Sequence, residues 1–259
     1  MKRIACLIVA LFAMVQPATA GTLRDFEKDA TKPKQSENKE KKSSTDSADK
    51  QDTESDALTQ LLVLGMLTGL TAGGQHSWAR VNEGYATELT GRVKPRQAGE
   101  ALIPFVRLDV GYQWLKNDIT AVDVRGEVGH SLVGLQVRHT RYEEKVSKDN
   151  LNITEAHGLY RMSLGNYVEL DFGIGTMILA GAEIHNGFSM TTPILVHPTD
   201  WLGLEVRPVW ATIADNELLD VEAAVLLGWR YASLKAGYRW FRSENQKLDG
   251  PEVGVALRW

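Results

Sequence analysis

The 259-residue chain has one cysteine, Cys6, and it lies in the leader described below. Beyond the leader no internal disulfide is available, which excludes a stapled secreted scaffold. No uninterrupted apolar run reaches the roughly 20 residues that a transmembrane helix needs. Basic residues are not in excess, with a formal net charge of -4, so there is no general footprint for nucleic acid. Metal-ligand spacing, a phosphate-cradling glycine loop and a cofactor box are all missing. We therefore expect no metal and no cofactor.

Residues 1–20 read as a secretory signal peptide. Lys2 and Arg3 form the positive start, Ile4 to Val15 the apolar run, and Ala18-Thr19-Ala20 a small-x-small cleavage site before Gly21. Cys6 is too near the start to serve as a lipoprotein cysteine. Residues 21–56 are polar and mixed in charge, as in Lys39-Glu40-Lys41-Lys42, and are expected to be a disordered periplasmic tether. Thr22-Leu23-Arg24-Asp25-Phe26 at its start reads as a short docking motif. Residues 57–74 form a short apolar helix with Gly65 and Gly69 spaced for close packing, ended by Gly73-Gly74. Three placements compete for it: packed against or inside its own protein, in the membrane interface, or on a partner helix. Residues 75–102 read as a linker.

From residue 103 to 259 the period is two, the signature of strands with one apolar face. Val106, Leu108, Val110, Tyr112 and Trp114 oppose Arg107, Asp109 and Gly111. Val122, Val124 and Val128 oppose Asp123, Arg125 and Glu127, and Val133, Leu135 and Val137 oppose Arg138. Ala156 and Tyr160 oppose Glu155, His157 and Arg161, and Leu170, Phe172 and Ile174 oppose Glu169 and Asp171. Phe188, Met190 and Ile194 oppose Ser189 and Thr191. Leu204, Val206 and Trp210 oppose Glu205 and Arg207. Val221, Ala223, Val225 and Trp229 oppose Asp220, Glu222 and Arg230. Leu234, Tyr238 and Trp240 oppose Lys235 and Arg239. The chain closes on Val253, Val255, Leu257 and Trp259 against Glu252, Gly254 and Arg258.

The expected fold is all-β, a closed antiparallel transmembrane barrel of about 8–10 strands, since about 9–11 tilted residues cross a bilayer. A soluble barrel with its apolar face inward carries the same alternation. Three patterns favour the membrane form. Tight turns near Gly129, Gly165, Pro198 and Tyr231 alternate with longer connections at 143–150, 180–187 and 243–250, the asymmetry of membrane barrels. Aromatics fall at two levels: Tyr112, Trp114, Trp210 and Trp240 at the outer, and Trp201, Trp229, Tyr231 and Trp259 at the inner. Glycines share the charged face, as they would where side chains crowd a narrow lumen. Pro193 and Pro208 each remove a ladder donor and predict a bulge.

The aromatic final strand and the strand style resemble small bacterial outer-membrane barrels of the OmpA/OmpX kind, over residues 103 to 259. The resemblance implies an outer-membrane location, lipid as partner, and assembly through the C-terminal strand by the barrel assembly machinery. It implies no activity. Inward charges of both signs predict a paired network in place of a one-sign ring for ions. The leading reading is a non-enzymatic anchor or envelope-interaction protein, with residues 21–74 available to a periplasmic partner. A narrow channel or export accessory plugged by the helix at residues 57–74 is the second. A hydrolase using Ser189 with His185, Asn186 or His139, or an acid/His site drawing on Asp118, Asp215 and His185, is the third.

Overall fold

The computed structural model describes residues 21–32, 71, 75, 105–130, 132–164, 167–199, 201–229 and 232–258. The apolar segment 57–74 and the linker 75–102 lie outside them apart from Thr71 and Gln75, as do Arg230, Tyr231, Trp259 and the Trp229 side chain.

One helix, α1 (Thr22–Thr31), precedes β1 (Phe105–Trp114), β2 (Ile119–His130), β3 (Val133–Glu144), β4 (Asn150–Leu164), β5 (Val168–Ala180), β6 (Ile184–Thr191), β7 (Ile194–Thr199), β8 (Leu202–Ile213), β9 (Asn216–Trp229), β10 (Ala232–Arg242) and β11 (Lys247–Arg258). All pair antiparallel with their neighbours, and β1 pairs with β11, closing the sheet. Both β6 and β7 lie between β5 and β8, so they are two pieces of one strand and the barrel has ten staves.

The break falls at Thr192-Pro193, where the sequence predicts a bulge. The Asp171 N–H reaches the Pro193 carbonyl at 2.9 Å and the Thr192 N–H reaches Pro208 at 3.3 Å. These bonds keep the seam closed although neither proline can donate. The register shifts again between Val196 and Thr199.

Alternation fixes which way the sheet faces. Val110, Val124, Val137, Val206, Val225 and Val255 are all exposed on the outer wall, and Asp109, Arg125, Arg138, Glu205 and Glu222 are buried inside. Gly111 shows why the inner face carries glycine. A Cβ there would overlap the Glu252 carboxylate that lies across it.

Two expectations need correction. Residues 22–31, assigned to a disordered tether, are helical, and the expected docking motif is the start of that helix. The connections expected to be long are short, at 145–149, 181–183 and 243–246, because the strands run on into them. That extension has a cause: Leu151, Leu179, Phe241 and Leu248, near the strand ends, turn inward and pack in one core with Leu23, Phe26 and Ala30 of α1. The connections at this rim, of two to five residues, are only slightly longer than those of two or three at the other.

Candidate functional site

The lumen has an apolar layer and a charged layer, with a smaller buried apolar set, Leu159, Leu195 and Leu226, toward the far rim. At the rim opposite Phe105 and Arg258 it is an apolar cup, formed by Ile119, Ala121, Ile153, Met177, Val209, Ile213 and their neighbours. Helix α1 fills it. Leu23, Phe26, Glu27 and Ala30 fall on one face at helical spacing and are all buried. The Phe26 ring lies 4.8 Å from that of Phe241. Burying Leu23 and Phe26 contributes about 1.5–3 kcal/mol each, more than such a short helix gains from its own hydrogen bonds.

Polar contacts from all five connections at this rim fix the seat. Asn117 donates to Thr22 Oγ1 at 3.0 Å. Asp149 accepts from Arg24 at 2.9 Å. The backbone N–H groups of Ala182 and Glu183 donate to the Glu27 carboxylate, both at 3.0 Å. Asn216 Nδ2 caps the carbonyl end of α1, at 3.2 Å from Ala30 O and 2.7 Å from Lys32 O. Asp29 accepts from Ser243 Oγ and from the Asn245 backbone at 2.8 Å. Gly181 is required here because any Cβ would strike the Glu27 carboxylate.

Burial pushes the Asp29 carboxyl upward, but hydrogen bonds from Ser243 and Asn245 outweigh it and hold the group below its usual range. A depressed folded-state value means the bond contributes at pH above the unfolded value near 3.8, and the contribution is lost as pH falls through the folded value. Asp29→Asn should therefore raise hydrogen exchange in α1 at neutral pH. The difference from the native chain should vanish well below pH 3.8.

Below the cup lies the charged layer. Arg107 holds Glu205 on the opposite wall with two bonds, 3.0 and 2.7 Å, and Asp109 with a third at 2.8 Å. Arg125 pairs with the same Asp109. Arg138 joins Asp123 at 2.6 Å and Glu222 at 2.8 Å. Arg239 grips Asp220 at 2.9 Å and donates to Thr140 at 3.0 Å. Lys235 bridges Glu222 and Glu252, the latter at 2.7 Å. Arg207 pairs with Glu205 at 2.6 Å, while Arg161 lies 3.6 Å from Glu127 and 3.8 Å from Asp171. Tyr142 separates the layers, with the Arg239 guanidinium 5.8 Å from its ring centre. Of the residues expected in the lumen, Glu169 and Arg258 are only partly buried, at the far rim, and Arg230 is not described.

Arg107 to Glu205, Arg138 to Glu222 and Arg239 to Thr140 cross the barrel from wall to wall, and the other pairs join residues of one strand or of strands one or two apart. They leave the charged layer filled by side chains, with Arg125, Arg138, Arg239 and Glu222 removed from solvent. Unpaired, such groups would be prohibitive, and paired they act as struts.

The hydrolase candidates do not assemble. Ser189 does point inward, but its partner is His157, at 2.8 Å from Nε2. Both have 0% exposure, so no ester or peptide reaches them. His139 faces outward and bonds Thr154 at 2.9 Å. His185 sits at the rim beside Glu183, 3.6 Å away. Asp118 and Asp215 are turn residues with positive φ, 54° and 68°, which two-residue hairpins require. Among the described residues no cluster suits a metal. Of the aromatics expected at the outer level, Tyr112, Trp114 and Trp210 are exposed and Trp240 is half-buried; of the inner set, Trp201 is exposed.

No family model matches the chain, and no curated protein does. Among solved structures it is similar to the N-terminal β-barrel domain of Pseudomonas aeruginosa OprF, at 13% identity over 61% of this chain and 98% of that one, TM-score 0.31. Neisserial surface protein A matches at 13% identity over 60% and 95%, TM-score 0.31. The attachment invasion locus protein Ail of Yersinia pestis matches at 10% identity over 60% and 97%, TM-score 0.28.

Proposed function

We propose that the chain is an integral protein of the bacterial outer membrane, a closed barrel that anchors its N-terminal region in the envelope and conducts nothing. The observation that carries this reading is the outer wall. Its exposed valines, leucines, tryptophans and isoleucines run around the staves, while the ionised residues at mid-strand are inside and the exposed pair Arg141 and Glu143 lies near the α1 rim. Soluble proteins rarely expose an apolar patch above a few hundred Å². A closed barrel is the only sheet that satisfies its backbone in hydrocarbon. The export signal read from residues 1–20 supports the same location. Outer-membrane lipid and the assembly machinery that receives a C-terminal strand are the partners this reading requires.

With Phe105 and Arg258 at the periplasmic rim, α1 lies at the external one. The part of the chain up to Lys32 then belongs to the barrel mouth, residues 33–104 join the external rim to Phe105 at the periplasmic one, and a periplasmic partner would meet the part nearest Phe105. The processed protein should sediment with outer membranes, stay folded in detergent and aggregate without it. Recovery of a monodisperse barrel from plain buffer would end the proposal.

The plugged-channel reading has one supporting observation, a helix seated in a barrel mouth, although the helix is α1 and not the segment at 57–74. Deleting residues 21–32 tests it in planar bilayers. We expect no stepwise currents, because the cross-lumen pairs still block the passage. Ohmic steps would favour the channel.

A further inference from the structure

The start of α1 contains an unbalanced charge. The N–H groups of Gly21, Thr22 and Leu23 all converge on the carboxylate of Glu144, at 2.9, 3.4 and 3.3 Å. Glu144 is 1% exposed at the end of β3. Among the described residues no cation pairs with it; Arg24, the nearest basic residue on α1, is engaged by Asp149. A buried carboxylate capped only by neutral amides is expensive.

The missing positive charge has an evident source. Ala18-Thr19-Ala20 marks a cut before Gly21. In the precursor the Gly21 nitrogen is an amide with one hydrogen. Hydrolysis of the Ala20–Gly21 bond leaves a carboxylate on Ala20 and turns that nitrogen into an ammonium with three. We propose that Glu144 is the receptor for the α-ammonium that processing frees at Gly21, so that removal of the leader locks α1 into the barrel mouth. The fit is specific in position, because a cut one bond earlier or later moves the ammonium by about 3.8 Å. It also orders events. Until the leader is gone, α1 lacks its charge partner and is held in the cup by apolar burial and neutral hydrogen bonds alone.

The inference rests on the export reading, and N-terminal sequencing of the protein extracted from outer membranes tests that part alone. The receptor is tested by limited labelling with an amine-reactive ester at pH 7, read by mass spectrometry of the N-terminal peptide. The native α-amine should react about tenfold more slowly than in Glu144→Gln, the effect of about one unit in the amine's protonation equilibrium. A refolded chain with one extra residue before Gly21 keeps Glu144 and should label at the faster rate; it supplies the comparison if Glu144→Gln does not fold. Processing at another bond overturns the proposal together with the cleavage site. Processing at Gly21 with equal labelling in all three proteins overturns the receptor and leaves export standing.

Discussion

Replacing Arg239 with leucine will destabilise the barrel by about 3–5 kcal/mol, the usual result of removing one partner from a buried ion pair. Arg239 has no solvent exposure and holds Asp220 through Nε and Nη2. Once it is gone, the remaining cation near Asp220 is Arg138 Nη1, at 3.8 Å. The abandoned carboxylate is buried, Thr140 keeps Asp123 but loses its bond from Arg239, and the Tyr142 ring loses the guanidinium beside it. The double variant Arg239→Leu, Asp220→Leu should recover part of the loss, since it removes the Asp220 charge while Asp123 and Glu155, 3.7 and 4.0 Å from Arg239, still lose a cation. Urea unfolding in detergent, followed by the shift between folded and unfolded bands on a gel, measures both. Equal destabilisation in the single and double variants would mean that charge pairing is not what the layer contributes.

The second large effect is local. Phe26→Asp should release α1 while the barrel persists. The native ring is fully buried against Phe241, and truncating a buried phenylalanine costs about 3–5 kcal/mol before any charge is added. The staves do not depend on α1, because their ladders and the charged layer are complete without it. Backbone amides of residues 22–31 should lose protection and become open to protease, while the strands exchange as before. Uniform loss of protection throughout would show that helix and barrel form one cooperative unit.

The staves were legible because alternation is a local property. The segment Val106 to Trp114 states its own two faces, and the structure keeps them. The plug was less legible. Leu23, Phe26 and Ala30 are three apolar residues among charges, too few to announce a helix without the cup that receives them. The cup itself left a trace in stretches apolar on both faces, such as Met177-Ile178-Leu179 and Leu218-Leu219. There the inward parity changes from charged to apolar toward one rim. The pairs across the lumen could not be read at all. Arg107 with Glu205, or His157 with Ser189, depends on how the closed sheet is sheared, and no spacing along the chain encodes it. The same holds for Glu144, an ordinary acidic residue at a strand end until α1 is placed above it.

The lipid-facing direction of the apolar wall can be measured most directly with nitroxides on single cysteines. Cys6 is the single cysteine of the chain, so in protein produced without residues 1–20 Val124→Cys and Val255→Cys report without interference. In reconstituted bilayers both labels should be relaxed strongly by oxygen, which concentrates in hydrocarbon, and weakly by a water-soluble nickel chelate. A label at Asp118, in the turn at the α1 rim, should show the reverse. Strong relaxation by the chelate at Val124 and Val255 would place the apolar wall in water and contradict the account.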